Sequence, residues 1–341
     1  MSAQTLDTSR LQTYLEKNLD GFSGTLATEK FAGGQSNPTF RLSADNRQYV
    51  LRRKPPGELL ASAHAVDREF RVISALGDTD VPVPHAYLLC EDESIIGSMF
   101  YIMEYLDGRV FWDPTLPEIT GNTERAAMYD DMNRVLAALH SVDVDAVGLS
   151  DFGRPGNYYA RQISRWTKQY RASETEHSEA METLIAWLPE HMPGDDGAVS
   201  LVHGDYRLDN VMFHPDEPRI IAVLDWELST LGHPLADLAY QVMAWQLPGD
   251  AGLRGLLGVD RHSLGLPEDS EYIDEYCRRT GRNGIDNWNF YLVFCFFRLA
   301  AILQGVKKRA LMGNASSPEA EAKGALVEPL ASYGVDLINH N

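Results

Sequence analysis

The stretch from Leu201 to Tyr240, LVHGDYRLDNVMFHPDEPRIIAVLDWELSTLGHPLADLAY, constrains what this chain can fold into more than any other. Asp205 and Asn210 lie five residues apart in a loop after a short apolar run, and Asp225 ends the next apolar run, Ile220-Ile221-Ala222-Val223-Leu224. Two oxygen ligands and one spare carboxylate are thereby expected in one place. Mg2+ takes one or two protein oxygens and fills its other sites with phosphate and water, so an Asn carbonyl and an Asp carboxylate suffice. Asn210 and Asp225 fit that role. A separate carboxylate must receive the proton of an attacking hydroxyl without being a metal ligand, and Asp205, first in the loop, fits it. His203 is read as orienting the loop. The chemistry these residue types support is transfer of a nucleotide's terminal phosphate to a hydroxyl group.

A lone HGD is a weak signal, since H-x-D also occurs in metallohydrolases; the spaced set His203, Asp205, Asn210, Asp225 and Asp237 is much stronger. The pattern H-G-D-x-x-x-x-N…D-W-E resembles the aminoglycoside phosphotransferase and choline kinase group, relatives of protein kinases. Within that group it is similar to the kinase-like domain of acyl-CoA dehydrogenase family members 10 and 11, over nearly the whole chain. The resemblance implies an α+β, two-lobed protein-kinase-like fold. A small antiparallel-sheet lobe would occupy residues 1–105, a larger, mainly helical lobe residues 106–341, and a hinge would lie near 103–108. It also implies ATP and Mg2+ as cofactors, Asp205 and His203 as the catalytic pair, and Asn210 and Asp225 as metal ligands. Asp237 resembles the buried aspartate that braces the catalytic loop. His233 stands where the family commonly has an acid, which removes that position from the metal set.

At 341 residues, with 44% hydrophobic and 23% charged residues, the chain is long enough for two lobes. A net charge of −19 argues against nucleic acid or an anionic membrane as partner. It weakly suits a cationic acceptor. The start, MSAQTLDTSR, lacks a signal peptide's apolar core. The most apolar run, Phe290 to Phe297, is interrupted by Arg298, falls short of the roughly 20 residues that span a bilayer, and reads as a buried helix. Cys90, Cys277 and Cys295 have neither disulfide nor metal spacing, so they read as buried hydrophobes in a reducing cytoplasm.

Upstream, Leu11, Leu15 and Leu19 recur at helical spacing within Leu6 to Leu19. Gly33-Gly34-Gln35-Ser36-Asn37 then lies before a strand-like Thr39-Phe40-Arg41-Leu42. Two glycines let backbone N–H groups approach phosphate, and Gly33, Gly34, Ser36 and Asn37 are taken as nucleotide-binding. In the strand Gln48 to Arg53, alternation puts Val50 and Arg52 on one face and Leu51 and Arg53 on the other. By resemblance Arg52 replaces the kinase lysine that holds the α- and β-phosphates, with Lys54 the alternative if the register shifts by two. Arg is not a neutral exchange for Lys, because its charge is a planar fork. Ala61 to Leu76 has helical spacing, with Val66, Phe70, Ile73 and Leu76 on one face. Glu69 beside that stripe would, by resemblance, pair with Arg52. A second strand, Ser98 to Glu104, runs into Tyr105-Leu106-Asp107-Gly108, which looks like the kinase hinge: Glu104 and Leu106 would read adenine and Met103 would back the pocket.

The remainder reads as mainly helical. Met128, Met132, Val135, Leu136 and Leu139 form a core stripe behind a cap at Asn122 or Thr123. His140 ends that helix. Tyr159, Ile163, Trp166 and Tyr170 share the face of another, with Arg161, Arg165 and Lys168 elsewhere. Pro189 to Gly197 reads as an acidic loop, Trp288 to Val306 as a helix, and Met312 to Gly324 as a linker before a last helical piece; residues 246–270 resist assignment. Asp225 to Asp237 leaves eleven residues, too few for a peptide-docking activation segment. Gly204 also replaces the arginine of H-R-D that reads activation-loop phosphate. ATP and a hydroxylated small molecule are therefore the expected partners, and no protein substrate is expected. A hydroxyacyl-CoA and an aminoglycoside-type antibiotic are both open as acceptor. A silent nucleotide-binding pseudokinase, suggested by Arg52, and a metal-dependent phosphohydrolase, with two metals about 4 Å apart, are the readings from other classes.

Overall fold

The computed structural model describes residues 6–31, 37–55, 65–249, 254–313 and 320–339. Helix α1 (Thr8–Asn18) starts at Asp7, whose carboxylate accepts the Arg10 backbone N–H. Its Leu11 and Leu15, followed by Leu19, are buried against one face of a five-stranded antiparallel sheet. The strands are β1 (Ala27–Lys30), β2 (Thr39–Ala44), β3 (Arg47–Arg53), β4 (Ala86–Cys90) and β5 (Phe100–Glu104), in the order β1-β2-β3-β5-β4. Helix α2 (Val66–Leu76) crosses the other face. It begins at Val66; residues 61–64 of the expected helix lie outside the described residues.

Alternation along β3 does what its sequence requires. Leu51 enters the core shared with α1, while Arg52 turns to the opposite, α2-facing side. Arg53 goes with Leu51, covers the Phe40 ring at 5.5 Å and donates to the Ile96 carbonyl. The strand therefore buries two arginines on opposite faces, each with its own partners.

After β5 the chain crosses to a second body. Gly108 makes the crossing possible, because a Cβ there would lie 2.6 Å from the Phe213 carbonyl. The next residue exchanges both backbone hydrogen bonds with Phe213 at 2.8 Å. Helices α3 (Asn122–His140), α4 (Tyr158–Ser173) and α5 (Glu179–Glu190) follow, then short strands β6 (Ser200–Val202), β7 (Val211–Phe213), β8 (Ile220–Val223) and β9 (Thr230–Gly232). The chain ends in α6 (Leu235–Trp245), α7 (Arg261–Leu264), α8 (Asp269–Thr280), α9 (Trp288–Leu311), α10 (Ala320–Gly324) and α11 (Val327–Asn339).

The structure corrects several expectations. Gly121 occupies the cap of α3, so Asn122 is helical; its side chain instead bridges Arg125 and the Ser263 carbonyl. Pro189 lies inside the last turn of α5, so the loop begins after Glu190. Residues 246–270 include α7 and the start of α8, and Ala320–Gly324 is helical rather than linker. Helix α9 runs five residues past Val306 and is long and apolar enough by composition to cross a membrane. Yet 72% of that apolar window is buried, against α4, α6 and α11. The three cysteines are buried and unbridged.

Candidate active site

Two two-stranded ladders assemble the site. β6 pairs with β9 and β7 with β8, so the loop after β6, carrying His203 and Asp205, lies beside the turn after β8, carrying Asp225. Asn210 sits just before β7, and its carbonyl accepts the Leu224 N–H at 2.8 Å. Residues separated by a hairpin in sequence thus become neighbours through backbone pairing.

His203 is fully buried and locks these loops together. Its Nδ1 accepts the Asp205 backbone N–H at 3.2 Å, which puts the ring proton on Nε2, 2.8 Å from the Leu224 carbonyl it donates to. Both nitrogens are occupied, leaving neither for a metal or a proton transfer. His203 positions Asp205 and Asp225 relative to each other.

Asp237, at the start of α6 and 1% exposed, braces the same loop. One oxygen accepts the His203 N–H at 2.6 Å and the other the Gly204 N–H at 2.8 Å. His140, the last residue of α3, adds a contact at 3.3 Å from Nε2 and is itself held by the Tyr276 hydroxyl at 2.7 Å. Burial raises the Asp237 carboxyl, but His140, His203 and the Gly204 N–H outweigh it and hold the group below the ordinary carboxylate range. Gly204 has φ +85°, and a Cβ on it would lie 2.8 Å from the Leu228 carbonyl. An arginine there meets both obstacles.

Asn210 donates Nδ2 to the Asp205 carbonyl at 2.8 Å and to its carboxylate at 3.0 Å, which leaves Oδ1 as the amide's outward acceptor. Asp225 has φ +63°, a left-handed conformation that is uncommon outside glycine and is typical of sites where surrounding structure imposes it. An amide oxygen and a carboxylate at this spot are hard donors suited to Mg2+.

Arg52 reaches into the same place. Its Nε lies 2.8 Å from Glu69 Oε2, and its Nη2 donates to Asp225. Glu69, 1% exposed on α2, also accepts Asn37 Nδ2 at 2.6 Å and the Tyr101 hydroxyl at 3.2 Å. Burial pushes the Glu69 carboxyl up to about 7, against the pull of Arg52 and Asn37. Burial also opposes the charge on Arg52, but Glu69, Tyr101 and Asp225 outweigh it and hold the guanidinium above its usual range. Replacing Tyr101 by Phe should cost about 1 kcal/mol of stability, the net worth of one hydrogen bond, which a urea titration would read.

Between the five-stranded sheet and the β7–β8 ladder lies an apolar slot lined by Val50, Met103 and Tyr101 on one side and by Met212, Val223 and Trp226 on the other, with Arg52 and Asp225 also in its lining. Glu104 ends β5 with its N–H on the His85 carbonyl at 2.8 Å, and Leu106 is half-buried in the crossing segment. Lys54 lies outside the slot, with its backbone paired to the Met99 carbonyl. Gly33, Gly34 and Ser36 lie outside the described residues; Asn37, grouped with them in the sequence, donates its Nδ2 to Glu69.

Three further residues lie near Asp205: Arg207 and Tyr240 belong to the stretch 201–240 without being part of its motif, and Arg298 comes from far outside it. Arg298, buried in α9, donates to the Gly204 carbonyl at 2.8 Å and lies over the rings of Tyr240 and Trp166. Tyr240 is buried near Asp205, and burial together with that carboxylate pushes its hydroxyl up; burial opposes the charge on Arg207, but Tyr240, Asp209 and Asp205 outweigh it and hold the guanidinium above its usual range. The interruption of an apolar run by Arg298 was the available signal. The residues between Asp225 and Asp237 form only a 3-10 turn, β9 and the entry to α6.

A family model described as "Phosphotransferase enzyme family" matches residues 27–275. The chain belongs to that family. It is 51% identical over 95% of its length to acyl-CoA dehydrogenase family member 10 of Mus musculus, covering 31% of that protein. With family member 11 of Homo sapiens it shares 44% identity over 97% of its length, covering 43% of the relative. The chain therefore spans less than half the length of these curated relatives. Among solved structures, a candidate aminoglycoside phosphotransferase from Ralstonia eutropha superposes with a TM-score of 0.91 at 50% identity, covering 98% of this chain and 99% of that one. The aminoglycoside phosphotransferase APH(4)-Ia, solved with ADP and hygromycin B, has a TM-score of 0.63 at 16% identity, covering 96% and 97%. The fold of this family member is protein-kinase-like, an antiparallel sheet followed by a helical body, as its sequence implied.

Proposed function

We propose that this phosphotransferase is an ATP- and Mg2+-dependent kinase that moves the γ-phosphoryl group to a hydroxyl of a small metabolite, with a hydroxylated acyl-CoA as the acceptor class. The observation that carries the reading is the junction of Asp205, Asn210 and Asp225 through His203 and the Asn210–Leu224 hydrogen bond. Asp205 is separate from the metal pair, so it serves as the base: it takes the acceptor's hydroxyl proton as the new O–P bond forms and the bond to the leaving ADP breaks. Asn210 orients that carboxylate with its amide and offers Oδ1, with Asp225, to the metal. Bound Mg2+ neutralises charge on the phosphates. Arg52 holds phosphate, Glu69 holds Arg52, and the Glu104 carbonyl and Leu106 amide read adenine in the slot that Met103 backs. Gly33, Gly34 and Ser36 belong to the nucleotide-binding set.

The acceptor class draws on two supports. The relatives' names tie them to acyl-CoA chemistry. Arg298 and Arg207 beside Asp205 also suit an anionic acceptor better than a polycationic antibiotic, whatever the sign of the whole chain.

Isothermal titration with a non-hydrolysable ATP analogue should show binding that depends on Mg2+, followed by turnover on hydroxyacyl-CoAs. Absence of binding with and without the metal would reject a kinase. Asp225→Ala should weaken Mg-nucleotide binding by about tenfold or more, the loss expected of a charged ligand; unchanged affinity in the same titration would remove Asp225 from the metal set.

A further inference from the structure

Arg52 holds two carboxylates at once, and they are not equivalent. Glu69 is 1% exposed and fixed by Asn37 and Tyr101 as well as by Arg52 Nε. Asp225 has a side chain 36% exposed in the lining of the slot, and the structure holds it by the far nitrogen of Arg52, Nη2. The near end of the guanidinium is therefore anchored, and the far end occupies the one carboxylate assigned to the metal.

We propose that Arg52 is a clamp that masks Asp225 until nucleotide arrives, so that metal ion and nucleotide bind as a coupled pair; this rests on the kinase reading above. A divalent cation approaching without nucleotide must displace a hydrogen-bonded guanidinium and then sit beside its charge. Phosphate oxygens offer Nη2 a replacement acceptor, and Asp225 is released to the metal as they bind. By linkage the effect is reciprocal: whatever factor nucleotide adds to metal affinity, metal adds to nucleotide affinity. Asn37 extends the clamp, because it joins Glu69 to the segment that follows the glycine pair.

Side-chain length makes the idea specific to arginine. A lysine nitrogen falls at the position of the arginine Cζ, one bond short of Nη2. It reaches Glu69 but loosens the hold on Asp225, which gives the departure from the kinase lysine a physical consequence.

The test is binding of Mn2+ to the whole chain, followed by electron paramagnetic resonance with and without ADP. In the wild type Mn2+ alone should bind weakly and ADP should tighten it. Arg52→Lys should tighten Mn2+ alone by about tenfold, the low end for a charged hydrogen bond at a part-exposed group, and shrink the ADP enhancement by the same factor. The pair Arg52→Gln with Glu69→Gln, which leaves no buried charge unpaired, should act in the same direction. Unchanged or weaker Mn2+ binding in both variants, with Asp225→Asn removing metal binding, overturns the clamp and leaves the kinase reading standing. A wild type that binds neither Mn2+ nor ADP in the presence of the other overturns both.

Discussion

Asp205→Asn should lower phosphoryl transfer by about a thousandfold, the middle of the range for a positioned general base, with little change in ADP affinity. The substitution is nearly isosteric, and the loop does not depend on the Asp205 side chain for its shape. That shape comes from His203, from the two N–H groups held by Asp237, and from Arg298 on the Gly204 carbonyl. What the amide loses is the lone pair that accepts a proton. Single-turnover rates and ADP titration on the same preparation separate the two effects. Retained turnover would remove Asp205 from the role of base, and lost nucleotide binding would mean that it shapes the slot.

Asp237→Ala should have the largest effect on stability, about 3–5 kcal/mol, because it leaves buried groups without their partner. The His203 and Gly204 N–H groups lose their acceptor, and His140 loses the carboxylate that lies 3.3 Å from its Nε2. Urea titration monitored by tryptophan fluorescence should show the loss, since Trp226 packs 4.8 Å from the His203 ring. A change under 1 kcal/mol would mean that the loop is held by its backbone ladders alone. The same carboxylate sets a pH dependence. Its folded pKa lies below the unfolded value, so its stabilisation is complete above the ordinary carboxylate range and is lost as pH falls through the lowered value. The acid limb of the wild-type stability curve should accordingly be steeper than that of the variant.

Global charge was a poor guide to the local field. A chain of net charge −19 sets Arg298, Arg207 and Arg52 around two of its acidic site residues. The total counts these arginines among thirty basic residues but carries no information about where they sit.

The sequence by itself determined the alternation of β3 that separates Arg52 from Arg53, the pairing of Arg52 with Glu69, and the bracing role of Asp237. It also carried the order of sheet, crossing segment and helices. The alternation follows from period two in a strand, whereas the Arg52–Glu69 pairing, the Asp237 brace and the order of elements were legible through the family resemblance that the H-G-D-x-x-x-x-N…D-W-E pattern carries. Only the tertiary structure decided that Arg52 also takes Asp225, that Asn37 faces Glu69, and that α9 delivers Arg298 beneath the catalytic loop. Each of these contacts joins elements far apart in the chain, and nothing in local spacing specifies which buried charge will meet which. That choice is made as the chain packs, between the two bodies for Arg52 with Asp225 and within one body for the other two, because a buried arginine or carboxylate left alone in a low-dielectric interior costs too much.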